Sequence, residues 1–385
     1  VAGLLGEAGY RTGFVGKDHF VMTPDRQPLA LSSDPADPAI QQVMKHNAAA
    51  SESALKKAGF EYVSRVYQNN PDFNGSRELA VHNQDWVTEG ALDFLAQDDQ
   101  RPFFLYFATT IPHGPTSPER SWQADRRATP EGWLDYTPEV QPDSRSIALR
   151  ARENGAEGRE TILWIDDAIG ALLNKLDELG KLDNTVVFFF NDHGQSAKGS
   201  VYEGGAHNPS IVWRKGGWPA GNDNEALVSN VDFAPTMLEL AGSPARDGMD
   251  GTSFLPILER RAEKIRDSLF FEMGYTRGVL KDGFKYIALR YPPKIANLTR
   301  EERQANLDVM NNNLRERRRP VHTEDPMAPF GHLMPVPGGH DAEQGAVKAY
   351  PHYYDCLLYT SPSPRDSLHN LVCRLRLVKG GGGGG

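Results

Sequence analysis

Apolar residues recur along this chain at two different spacings, and their alternation gives the architecture. Between Glu160 and Leu179, the residues Ile162, Ile165, Ile169, Leu172, Leu173, Leu176 and Leu179 fall on one stripe of a helix that Gly180 closes. Trp86, Val87, Gly90, Ala91, Phe94 and Leu95 repeat at the same helical spacing. Phe103 to Ala108 and Val186 to Phe190 are instead short, continuous apolar runs, which predict buried strands. Residues 1–10 read as a helix closed by Gly9, Thr12 to Val15 and Ile211 to Trp213 as strands, and Val231 to Leu240 as a helix ended by Gly242. Strand and helix in alternation predict an α/β fold: a doubly wound, mostly parallel sheet with helices on both faces.

After about Asp267 the pieces shorten. Leu269 to Glu272 and Phe284 to Arg290 are β-like and predict a small C-terminal α+β subdomain. The organisation expected is a catalytic domain over 1–266, that subdomain over 267–355, and an artefactual or disordered tail over 356–385 that ends in six glycines. Three stretches carry no pattern. Thr23 to about Gly75 is polar and contains prolines, the sequence from Thr116 to Gly158 reads as a long loop, and Pro292 to Lys348 is polar with a basic cluster at Arg315 to Arg319.

Composition narrows the function. A chain of 385 residues has room for one large α/β domain with an appendage, and no apolar run approaches the roughly 18 residues of a membrane span. The net charge of -9 argues against a nucleic-acid partner while leaving room for a local cationic pocket. Both cysteines, Cys356 and Cys373, lie in the tail, so the body has neither a disulfide framework nor a thiol nucleophile. The chain opens without Met on VAGLLGEAGY, the end of an amphipathic helix pattern, and an N-terminal truncation is expected.

The candidate chemistry clusters at predicted strand ends. Asn191-Asp192-His193-Gly194 follows the strand at Val186 and is an acidic turn of metal-binding type; the lysine-led glycine turn KGSVYEGG, Lys198 to Gly205, comes next. Gly16-Lys17-Asp18-His19 and Pro112-His113-Gly114-Pro115 follow two other strands. Open α/β sheets bind ligands at the carboxyl ends of their strands, and cations beside a metal turn suit an anion. Taken singly, each motif is an ordinary turn, and His46, His82 and His207 read as loop or surface histidines.

Together, in this order and spacing, the four motifs resemble those of the sulfatase family, within the alkaline phosphatase superfamily. LLGEAGYRTGFVGK, PFFLYFATTIPH, IGALLNKLDELGKLDNTVVFFFNDHG and VDFAPTMLELAG add to the likeness, which covers roughly residues 1–290. The resemblance implies a sulfuric ester hydrolase in which Lys17 and Lys198 hold sulfate oxygens, His113 protonates the leaving oxygen and His19 shuttles a proton at the nucleophile. It implies a divalent cation, calcium in the family, bound by Asp192 with His193. An imidazole at 193, where family members often carry an amide, tilts preference toward softer ions. Asp18 stands where an aromatic residue is usual and adds a negative charge beside the anion site.

The nucleophile implied is a formylglycine made from Cys or Ser in C/S-x-P-x-R by a formylglycine-generating enzyme. Gly242-Ser-Pro-Ala-Arg246 has no oxidisable first side chain, and Ser361-Pro-Ser-Pro-Arg365 has the wrong spacing. Asp166-Asp167, mid-helix, reads as structural rather than as a metal pair. The nucleophile is therefore expected upstream of Val1 and this chain alone inactive. The implied substrate is a sulfated small molecule or sulfated glycan, and the implied location periplasmic or extracellular. The alternatives are a phosphodiesterase or phosphonate hydrolase of the same superfamily, or an inactive binder of sulfated glycans.

Overall fold

Consecutive residues Phe14 and Val15 are both fully buried but in different clusters, so their strand is covered on both faces. The computed structural model describes residues 1–194, 201–218, 223–243, 246–274, 276–289, 291–318, 320–321, 323–327, 333 and 375–376. It divides into two compact units, Val1–Asp183 with Ala241–Pro244, and Asn184–Leu240 with Ala245–Gly385.

The first unit runs α1 (Ala2–Glu7), β1 (Arg11–Asp18), α2 (Pro38–Lys57), β2 (Tyr62–Gln68), α3 (Gln84–Ala96), β3 (Phe103–Ala108), the small hairpin β4 (Ala128–Thr129) and β5 (Gly132–Trp133), α4 (Ile147–Glu153) and α5 (Glu160–Glu178). Its main sheet is parallel in the order β2-β1-β3. Ala2 of α1 and Leu55 of α2 pack with Phe14, Phe60 and Val63 on one face. Trp86, Val87 and Ala91 of α3, joined by Leu172 of α5, pack with Val15 and Tyr67 on the other. The expected parallel sheet with helices on both faces is this one.

Gly16 has φ +100°, and a Cβ there would lie 1.9 Å from the carbonyl oxygen of Ala108. Only glycine lets β1 pass β3 so closely. The pairing of β1 with β2 shifts register between Val15 and Gly16, which re-aims the residues that follow. The glycine before Lys17 is thus a requirement of the sheet.

Helix α2 and strand β2 occupy the stretch 23–75 in which the sequence showed no element. The buried stripe of α2 is Met44, Asn47, Ser51 and Leu55, half of it polar, so hydrophobic periodicity is weak. Its ends carry the signal instead: Asp37 accepts from the amide of Ala39, Pro38 opens the helix, and Lys56 and Lys57 lie in its last turn. In α5 the Asp166-Asp167 pair is divided, because Arg150 of α4 grips Asp167 with two hydrogen bonds of 2.7 and 2.6 Å. That is an ion pair between helices, in keeping with a structural role for the pair.

The second unit contains β6 (Val187–Phe190), α6 (Glu203–Ala206), β7 (Ser210–Trp213), β8 (Asp223–Asn224), α7 (Phe233–Leu240), α8 (Leu255–Leu258), β9 (Ser268–Met273), β10 (Thr276–Lys281), β11 (Phe284–Leu289), α9 (Pro293–Ala296), α10 (Arg300–Glu316) and β12 (Leu375–Arg376). β6 and β7 are antiparallel, and β12 joins β7 to β8. Phe188 and Phe190 pack on Phe233, the latter with ring centroids 4.8 Å apart, over a core shared with Val212, Phe254 and Leu258. β9, β10 and β11 form an antiparallel meander. Helix α10, in sequence without evident periodicity, opens with a capping box between Thr299 and Glu302 and buries Leu307, Met310 and Leu314 on a narrow stripe.

Candidate active site

All three parallel strands of the first unit deliver polar residues at their carboxyl ends. β1 ends in Lys17 and Asp18 with His19 just beyond; Lys17 is half-buried and level with Tyr67 of β2. Asp18 is fully buried and its Oδ1 accepts the amides of Phe20 and Val21, both at 3.0 Å. It builds the turn that presents His19, a role its sequence context did not suggest.

β2 delivers Asn69 and Asn70, which no sequence motif marked. The Asn69 amide nitrogen donates to Asp18 O at 2.7 Å, and its Nδ2 donates to His19 Nε2 at 3.2 Å. Asn69 Oδ1 accepts the backbone N–H of Asn70 at 2.8 Å. Asn70 Nδ2 in turn donates to His113 Nε2 at 3.1 Å. His113 follows β3 between two cis-prolines, Pro112 and Pro115, and its Nδ1 donates to Gly114 O at 3.1 Å. Since a carbonyl only accepts, Nδ1 of His113 carries the proton and Nε2 the lone pair. Two histidines 94 positions apart are therefore held through adjacent asparagines. An Asn-Asn pair just after the apolar residues of β2 was the available signal.

His82 is buried, 2% exposed, and its Nδ1 lies 2.7 Å from Thr110 Oγ1 in the segment leading to His113. It lies in a loop, as expected, but is buried rather than at the surface. Burial pushes its pKa down to about 4, outweighing the opposing pull of the Pro115 carbonyl, so the ring is neutral at pH 7. Asp85, on the first turn of α3, is buried too, and burial raises its pKa to about 6 in spite of Arg126 at 3.6 Å.

In the second unit, Asp192 and His193 follow β6 directly. The Asp192 side chain is 81% exposed, and its Oδ1 lies 3.6 Å from His193 Nε2. His193 Nδ1 donates to Gly194 O at 2.6 Å, which leaves Nε2 with a lone pair. Gly194 donates its N–H to Gly205 O at 3.0 Å, and a Cβ there would meet Gly204 O at 2.4 Å, so the acidic turn and the glycine turn press together at a glycine. Asn208 braces Asn191 from both sides, accepting its N–H at 2.9 Å and donating to its carbonyl. Glu203 is ion-paired to Lys285 of β11, whose Nζ also donates to Val201 O at 3.1 Å. Lys198 lies outside the described residues.

Among the described residues no three His, Cys, Asp or Glu side chains are grouped to hold a metal. Asp192 and His193 fit as two donors, one carboxylate oxygen and one imidazole nitrogen, and fall short of the six to eight oxygens that surround calcium.

The sequence profile of the sulfatase family, described simply as "Sulfatase", matches residues 1–243. The chain belongs to the sulfatase family. This family member is 29% identical over 277 residues to the N-acetylgalactosamine-6-sulfatase of Canis lupus familiaris, covering 66% of this chain and 47% of that protein. It is 28% identical over 302 residues to the "Extracellular sulfatase SULF-1 homolog" of Drosophila melanogaster, covering 69% of this chain and 24% of the relative. The chain thus spans half the length of these relatives or less. Among solved structures, one described as bound to its substrate D-glucosamine-2-N,6-O-disulfate aligns with a TM-score of 0.47 at 19% identity, over 75% of this chain and 72% of that one. No helix among the described residues is long and apolar enough to cross a membrane.

Proposed function

We propose that the protein hydrolyses sulfate monoesters. The observation that carries this, beside family membership, is the meeting of His19 and His113 at the carboxyl ends of neighbouring strands, bridged by Asn69 and Asn70. Hydrolysis of a sulfate ester requires a proton removed at the nucleophile and a proton supplied to the leaving oxygen, and two imidazoles in one polar network can divide that work. Lys17, between Gly16 and the turn built by Asp18, is the cation of the first unit suited to a sulfate oxygen. Lys198 has the same role in this reading, by resemblance alone. His113 gives its proton to the departing alcohol; His19 handles the proton at the nucleophile.

Asp192 and His193 would hold a divalent cation, calcium by resemblance, with further donors from elsewhere in the protein. When bound, that cation supplies charge stabilisation of the sulfuryl oxygens. The nucleophile is proposed to be a formylglycine, installed by a formylglycine-generating enzyme on a Cys or Ser upstream of Val1. The N-acetylgalactosamine-6-sulfatase relative favours a sulfated sugar as substrate, and the relative named extracellular favours export.

The test is hydrolysis of a chromogenic aryl sulfate beside the matching aryl phosphate, by the full-length gene product co-expressed with the formylglycine-generating enzyme. Sulfate turnover that disappears in His113→Ala and in Lys17→Ala is expected, each variant losing on the order of a hundredfold or more in kcat. Faster turnover of the phosphate would move the protein to the phosphoryl-transfer branch.

A further inference from the structure

Asn69 and Asn70 make the same kind of contact with two histidines, yet their amides differ in freedom. Asn69 Oδ1 is committed to the backbone N–H of Asn70 at 2.8 Å, and only an oxygen can accept there. The orientation of the Asn69 amide is therefore fixed, and it presents an N–H to His19 Nε2. Asn70 has no such anchor. The residue is 8% exposed, and its Oδ1, buried with it, has no hydrogen-bond partner among the described residues. An unpartnered buried acceptor is costly, and a half-turn of the amide about the Cβ–Cγ bond would bring it to His113 Nε2.

We propose that Asn69 and Asn70 are positioning residues that assign the two histidines different proton roles: Asn69 keeps Nε2 of His19 as a lone pair, whereas the Asn70 amide turns to serve Nε2 of His113 with or without its proton. With Nδ2 toward the ring, Asn70 donates to neutral His113. With Oδ1 toward the ring, it accepts from the Nε2–H of the imidazolium, whose Nδ1–H remains on Gly114 O. In the reaction the nucleophile's oxygen bonds sulfur as the ester oxygen–sulfur bond breaks, the Nε2 proton passes to the leaving oxygen and the amide turns back, and solvent returns a proton to Nε2 before the next turnover. His19, facing a locked donor, receives a proton at Nε2 only by losing that hydrogen bond. Lys17 and Asp18 precede His19 on β1, and buried His82, which burial keeps neutral at pH 7, feels both His113 and Arg120.

The division of labour into acid and base rests on the sulfatase reading above, whereas the amide assignment stands on the hydrogen bonds alone. The first measurement is therefore independent of activity. Histidine-selective 15N NMR of the chain, at a pH where both imidazoles are neutral, is expected to give the Nδ1–H tautomer for His19 and for His113, with hydrogen-bonded acceptor signals at both Nε2 atoms. Asn70→Leu should shift the His113 Nε2 signal and leave His19 in place, and Asn69→Leu should do the reverse. An Nε2–H tautomer for neutral His19 in the unsubstituted chain would overturn the proposal even if neither variant folds.

The second measurement compares leaving groups in the full-length enzyme. Asn70→Leu is expected to slow an alkyl sulfate at least tenfold more than 4-nitrophenyl sulfate, since only the poor leaving group needs the proton; Asn70→Ser, small and able both to donate and accept, should recover part of the difference. Equal losses on both substrates would refute the role of Asn70 while leaving the sulfatase reading intact. Absence of sulfate turnover in the unsubstituted enzyme, with the NMR pattern as expected, would refute that reading and support the amide assignment.

Discussion

His82 and Asp85 are three residues apart, both buried, and they titrate in opposite senses. Burial lowers the histidine to about 4 from 6.5, so between those values the unfolded chain binds the extra proton and stability rises with pH. Burial raises the aspartate from 3.8 to about 6, so across that window the native state binds the extra proton and stability falls as pH rises. The two slopes nearly cancel between pH 4 and 6. Asp85→Asn removes one of them and leaves His82 alone. Urea unfolding of that variant is expected to show stability climbing from pH 4 to 6.5 by up to about 3 kcal/mol, at roughly 1.4 kcal/mol per pKa unit. A flat profile would mean that His82 is not held neutral by its surroundings. None of this was visible in the sequence, where His82 is one histidine among polar residues and nothing marks it as lying under the chain that leads to His113.

At the scale of elements, the strong stripes were legible. α5, with seven aliphatic residues at helical spacing, appears within one residue of its expected end, and β3 matches its expected span. α2 and α10 were not, because their buried faces mix Asn, Ser and Arg with the aliphatics. Tertiary packing there supplies what the pattern lacks. The site divides similarly. Lys17, His19, His113, Asp192 and His193 all stand just at or beyond strand ends, as their motifs suggested; Asn69 and Asn70 were missed because their partners are 50 and 43 residues away. Asp232 is a further residue with long-range partners. At the start of α7, and fully buried, it accepts from Ser229 N at 2.6 Å, Thr252 N at 2.8 Å and both terminal nitrogens of Arg266. Asp232→Ala leaves that guanidinium and two amides without their acceptor. A loss of about 3–5 kcal/mol in denaturant unfolding is expected, and an unchanged midpoint would show that α7 is held by its aromatic core alone.

At the scale of the chain, the net charge of -9 bears on how readily the sulfate esters proposed as substrates would approach it. A polysulfated glycan meets long-range repulsion that a single aryl sulfate barely feels, and the repulsion is screened over about 8 Å at physiological ionic strength. Raising salt from about 10 to 150 mM is therefore expected to strengthen the binding of a polysulfated oligosaccharide to this chain and leave that of an aryl sulfate nearly constant; the opposite trend would show that cations near Lys17 govern the approach. The pairing of Glu203 with Lys285 has a different reach. Both side chains are largely buried, and β11 lies 82 positions along the chain from the glycine turn it steadies. Anyone diversifying Tyr202 to Gly205 is also editing the meander's edge, so libraries that replace Glu203 while holding residue 285 constant will strand a largely buried lysine in most of their members.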